Sequence, residues 1–85
     1  MARMLAFAER HIDEASRTDY LTSVGARQRS AASSGVHFWV FEHADEGGRF
    51  IEFVEGASEQ DVRSAAAGNN LLNPPVEVWR EVQGA

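Results

Sequence analysis

The sequence predicts an α+β fold, with a four-stranded antiparallel sheet and two helices on one of its faces, threaded strand–helix–strand–strand–helix–strand. Three observations carry this. Two Ser-x-x-Asp segments, Ser16–Asp19 and Ser58–Asp61, each precede an apolar stripe at helical spacing. Two runs rich in aromatic and β-branched residues flank Asp45-Glu46-Gly47-Gly48, the pattern of a hairpin. The two halves also read alike: each gives a strand, Ser-x-x-Asp, a helix, a glycine and then a strand with tryptophan in fourth place, Val36-His37-Phe38-Trp39 and Val76-Glu77-Val78-Trp79.

In chain order, the apolar stretch from Met4 to about Ile12 has no helix cap and reads as the first strand. Ser16-Arg17-Thr18-Asp19 opens a helix whose stripe is Tyr20/Leu21, Val24, Gln28 and Ala31/Ala32, and Gly35 ends it in a left-handed conformation. Val36 to Ala44 forms the second strand, the paired glycines turn the chain, and Arg49 to Glu55 returns beside it. A second helix starts at Ser58, presents Val62, Ala65 and Ala66, and stops at Gly68-Asn69-Asn70. Pro74-Pro75 then leads into a last strand, Val76 to Val82. Two βαβ units of shared hand place both helices on one face of a ferredoxin-like, split-βαβ sheet.

The 85 residues suffice for a single domain spanning 1–85, with a core thin enough that oligomerisation is the expected remedy. Hydrophobic residues at 44% and charged residues at 25% exclude a disordered chain. There is no cysteine for a disulfide or thiolate site, no apolar run of the ~20 residues a membrane span needs, and an N-terminus too soon charged for a signal peptide. A cytoplasmic setting without a membrane partner is therefore expected. The net charge of −5 argues against a nucleic-acid partner. All eight basic residues are arginine, which with abundant alanine suggests a GC-rich bacterial genome.

A two-residue turn at Gly47-Gly48 or Glu46-Gly47 pairs odd positions of one hairpin strand with even positions of the other. One face then carries Val36, Phe38, Val40, Ile51 and Phe53 for the helices to cover. The opposite face carries His37, Trp39, Phe41, His43, Phe50, Glu52 and Val54, with no helix left to cover it. Such a face is a homodimer interface, a ligand pocket, or both.

The candidates for chemistry lie on that face. Trp39 is a flat wall for an aromatic ligand or an anchor for a partner, and Phe41, Phe50 and Val54 extend it. His43 falls opposite or diagonal to Glu52, a pairing that either orients an acid–base group or is a solvated cross-strand contact. His37 is the third acid–base candidate. It lies six residues from His43, roughly 20 Å along a strand, too far to share a metal ion. No metal or organic cofactor is expected. Gly48-Arg49-Phe50-Ile51-Glu52-Phe53-Val54 faintly resembles an RNA-recognition strand, but Glu52 and Glu55 put negative charge where phosphates would pass.

The strand order, the aromatic second and third strands and the bare sheet face resemble the dimeric α/β-barrel superfamily, in particular small antibiotic-biosynthesis-monooxygenase-like proteins. The resemblance implies protomers packed sheet to sheet, and a pocket between sheet and helices or within the barrel. It also implies either oxygenation of a small aromatic substrate without metal or flavin, or haem degradation by asparagine, tryptophan and histidine. Trp39 and either His37 or His43 match the last two, whereas the first strand offers Glu9 and Arg10 and no asparagine. The alternative outside enzymology is a non-catalytic dimeric interaction or stress-associated module.

Overall fold

The computed structural model describes residues 3–68, 71–73 and 76–84. Strand β1 (Met4–His11) leads through a 3-10 turn (Glu14–Ser16) into helix α1 (Arg17–Ser33). Strands β2 (His37–Glu42) and β3 (Arg49–Gly56) follow, then helix α2 (Glu59–Arg63) with a π-type turn (Ser64–Gly68), and strand β4 (Trp79–Arg80). All pairings are antiparallel and the sheet order is β2-β3-β1-β4, the expected ferredoxin-like arrangement.

Local signals explain most elements. Ser58 caps α2 by accepting the Asp61 amide, and Val62, Ala65 and Ala66 are buried as their spacing predicts. Gly35 ends α1 with φ +74. The first cap is different: Asp13 accepts the Ser16 amide at 2.9 Å and Ser16 makes no side-chain cap, so the 3-10 turn precedes the helix. The α1 stripe is Tyr20, Val24 and Ala31, while Leu21, Gln28 and Ala32 are exposed. Strand β4 keeps two residues of the expected Val76–Val82, and Asn69-Asn70 and Pro74-Pro75 lie outside the described residues.

The hairpin departs most from expectation. His37 pairs with Glu55, Trp39 with Phe53 and Phe41 with Ile51, so odd positions oppose odd. The His43 amide still donates to the Arg49 carbonyl at 2.7 Å, which leaves a five-residue loop, 44–48, in place of a two-residue turn. Two side chains build that loop. His43 Nδ1 accepts the amides of Asp45 and Glu46 at 3.1 and 3.0 Å, and Glu42 accepts the Gly48 amide at 3.0 Å. Because side chains alternate along a strand, the odd loop length moves every β3 residue to the other face. Phe50, Glu52 and Val54 are therefore buried beneath the helices, and Ile51 and Phe53 face outward.

The core lies between the even-numbered face and the helices: Ala6, Phe38, Phe50 and Val54 meet Tyr20, Val24, Ala31, Val62, Ala65 and Ala66, with Leu71 and Leu72 closing one side. Gly48 has φ +85, and a β-carbon there would stand 2.5 Å from the Ile12 carbonyl oxygen. That carbonyl cannot yield freely, since the Ile12 amide donates to the Gly48 carbonyl at 2.8 Å. Gly48→Ala is expected to cost about 2 kcal/mol or more, and Gly35→Ala, at positive φ but in open space, about 1 kcal/mol. Urea unfolding of the two variants checks that order.

Candidate functional site

Glu52 sits at the centre of the sheet, on β3 between Ala8 of β1 and Val40 of β2, and is wholly buried. An unpaired carboxylate there would cost several kcal/mol. Helix α1 supplies the partners from one stripe, Tyr20 and Arg27 being seven residues apart and so about two turns along the same side. The Tyr20 hydroxyl donates to Glu52 Oε2 at 2.6 Å, and the Arg27 guanidinium donates to the same oxygen at 2.9 Å. Arg27 also donates to the Leu71 carbonyl at 3.0 Å and lies 4.8 Å over the Phe38 ring. Arg10 stands at the rim, 4.0 Å from Glu52 Oε1 and 5.9 Å over the Tyr20 ring.

Two guanidiniums against one carboxylate leave this cluster with an excess positive charge. Burial, then the hydrogen bond to the Glu52 carboxylate, pushes the Tyr20 phenol well above its ordinary range, so it remains a donor. Among the described residues Glu52 Oε1 and Arg27 Nε have no hydrogen-bond partner. A buried acceptor and a buried donor left open in one cluster call for a water or for a hydroxyl or N–H group of a bound molecule.

The opposite face has no cover among the described residues. Its cross-strand rows are Leu5–Glu55–His37, Phe7–Phe53–Trp39, Glu9–Ile51–Phe41 and His11–Arg49–His43, with Trp79 beside Leu5. Phe7, Trp39, Phe41 and Trp79 are each about half exposed (46, 46, 54 and 52%). Ring contacts at 5.8 to 6.3 Å join Trp79, Phe7, Phe53 and Phe41 into one band. Ion groups close both ends: Glu55 and Glu81 hold Arg3 at one, Glu9 and Glu46 hold Arg49 at the other. A groove of about 180 Å³ opens at the hairpin end, lined by Glu9, Phe41, Glu42, His43, Arg49, Phe50 and Ile51. Beside it the Arg17 fork, then the Gly48 amide, pulls the Glu42 carboxyl down to about 2, so it is ionised at neutral pH.

The structure thus separates residues that the sequence placed together. Trp39, Phe41, His37 and His43 share the open face as expected. Phe50, Glu52 and Val54 do not, so the expected His43–Glu52 pair is absent: His43 serves the loop, and Glu52 is bound from the helix side. Phe50 is packed by Tyr20, with ring centroids 4.7 Å apart, and also lines the groove at its edge. His37 and His43 remain at opposite ends of the face, and among the described residues no three histidines or acids gather in a way that could hold a metal. Sequence pattern alone marks neither Tyr20 nor Arg27 as a partner of Glu52 and does not mark Phe7 as part of the aromatic face; Phe53, expected with Ile51 under the helices, lies on that face instead. Arg27 was legible as the seventh residue after Tyr20 on a stripe interrupted by Gln28.

No family model matches the sequence, and no curated protein does. Solved structures do. A candidate antibiotic biosynthesis monooxygenase from Bordetella bronchiseptica aligns over all of both chains with TM-score 0.67 and 12% identity. A conserved Methanosarcina mazei protein aligns with TM-score 0.70 and 9% identity, covering 99% of this chain and 95% of its own. A candidate antibiotic biosynthesis monooxygenase from Nitrosomonas europaea gives 0.66 and 9%, covering 94% and 88%. The chain has their fold. At these identities the likeness extends to the ferredoxin-like architecture and not to the residues of the site. No helix among the described residues is long and apolar enough to cross a membrane.

Tyr20 is the only tyrosine, so its ionisation can be followed directly. The folded protein is expected to show no tyrosinate absorbance at pH 10, where the unfolded chain is half ionised. A raised folded-state value contributes stability below the unfolded value and loses it as pH rises beyond, because the unfolded chain then binds fewer protons. Alkaline destabilisation above pH ~10 should therefore be smaller in Tyr20→Phe, as measured by urea unfolding at pH 9 and 11.

Proposed function

We propose that this protein, a single domain of bacterial type working in the cytoplasm, is a homodimer formed through its open sheet face and binds a small aromatic or hydrophobic molecule at that face. One observation carries the reading: Phe7, Trp39, Phe41, Phe53 and Trp79 form a contiguous aromatic surface that none of the described residues covers. A standard interface removes about 800 Å² from each partner. That is roughly one-seventh of the 5779 Å² surface, within the compass of one sheet face. An apolar centre between charged ends is also the usual plan of an interface.

Two sheets closed on each other would wall the groove beside Phe41 with Trp39 and its neighbours, giving an apolar enclosure for a flat molecule. The fold likeness to two candidate monooxygenases supports an enzymatic extension, cofactor-independent oxygenation of an aromatic substrate. Of the three acid–base candidates only the histidines share that face: His37 lies beside Trp39 with ring centroids 5.9 Å apart and His43 is occupied by its loop, while Glu52, with its open carboxylate oxygen, is buried on the helix side of the sheet. A nucleic-acid partner finds little support here, because glutamates already hold Arg3 and Arg49 on the aromatic face.

Sedimentation equilibrium at micromolar concentration is expected to give about twice the 9.4 kDa chain mass, and a clean monomer would overturn the dimer. A thermal-shift screen of hydroxylated aromatics, quinones and short acyl compounds addresses the ligand. A binder should raise the melting temperature of the wild type by mass action and raise that of Trp39→Phe by less. If no class shifts the wild type, or all shift both proteins equally, the ligand site is refuted and a purely associative role stands.

A further inference from the structure

All three histidines of the chain, His11, His37 and His43, occupy the open face. Even-numbered positions and the helices carry none. Each stands beside carboxylate. His37 is directly opposite Glu55, His11 Nε2 lies 3.6 Å from Glu9 Oε1, and His43 adjoins the same Glu9, whose carboxylate Arg49 first, and His11 and His43 more weakly, hold in its ionised form.

The face as a whole is acidic. Its charged groups are Arg3, Glu55 and Glu81 at one end and Glu9, Arg49 and Glu46 at the hairpin end. Two arginines thus stand against four carboxylates, an excess of two negative charges. The pair Arg17 and Glu42 behind the hairpin neutralises itself. Two such faces carry net charge of the same sign, and that excess opposes bringing them together. Histidine is the side chain that changes charge near neutral pH, and three of them suffice to cancel the excess.

We propose that self-association through this face is proton-linked, the dimer taking up protons on its histidines and tightening as the pH falls from 8 to 6. The inference rests on the face-to-face dimer proposed above. Its sign follows from linkage: the species that binds more protons, here the dimer, gains as the proton concentration rises. Carboxylic acids ordinarily titrate well below this window.

The experiment is sedimentation equilibrium of the whole chain at pH 8 and pH 6, at low and high salt. The comparison variant is His11→Gln/His37→Gln/His43→Asn, in which the asparagine oxygen can accept the loop amides that His43 Nδ1 now accepts. Wild type is expected to dimerise about threefold to tenfold more tightly at pH 6 than at pH 8 in low salt. High salt should tighten the pH 8 dimer by screening the repulsion. The triple variant should remain a dimer and lose the pH dependence. A wild-type dimer of equal affinity at both pH values overturns the proposal and leaves the dimer itself standing, as does a pH dependence that persists in the variant. A monomer under every condition overturns both.

Discussion

The buried carboxylate of Glu52 constrains the rest of this structure. It lies mid-strand in the sheet, where neither neighbour, Ala8 or Val40, can satisfy it, so one helix must bring a donor and a cation to it. Tyr20 and Arg27 do so from α1, and Arg27 continues to the Leu71 carbonyl, binding helix, sheet centre and the segment beyond α2 at one point. The arrangement is demanding, because removing one partner of a buried ion pair leaves the other charge uncompensated. It also ties down the hairpin: slipping β3 by one residue would turn Glu52 outward and leave Arg27 without its carboxylate.

The outer face follows from that choice. With Phe50, Glu52 and Val54 turned inward, the odd positions of β3 must face outward and align with the odd positions of β1 and β2. Phe53 then lies between Phe7 and Trp39, and what would have been a mixed surface becomes an aromatic band closed by ion groups at both ends. Polar specificity is buried under α1 while apolar surface is left outside. That division places the open carboxylate oxygen and the aromatic wall on opposite sides of the same central strand.

How much of this was legible depends on range. The element order, the Ser58 cap and the Gly35 stop are written in short segments and could be read there, as could the outward direction of Trp39 and Phe41. The β3 parity could not, because it depends on the length of one loop. Two glycines in succession invite a two-residue turn, but His43 and Glu42 bind three loop amides and stabilise a five-residue one. Nothing in residue type marks those side chains as loop-builders. A glutamate in an otherwise apolar strand reads as an outward position, since burying a charge is costly. Its compensation lay about 25 to 32 residues away on α1, beyond any local pattern. The Ser16 cap failed for a smaller reason: Asp13, three residues earlier, offers the stronger acceptor and starts the turn first.

A double-mutant cycle on the Glu52–Arg27 pair tests the central constraint most directly, with Glu52→Leu, Arg27→Met and their combination unfolded in urea. Each single variant should lose about 3–5 kcal/mol, since each leaves a buried charge uncompensated, and the double variant should lose far less than the two losses together. Small losses that simply add would contradict the account, and would mean that the parity of β3 is held by the loop alone.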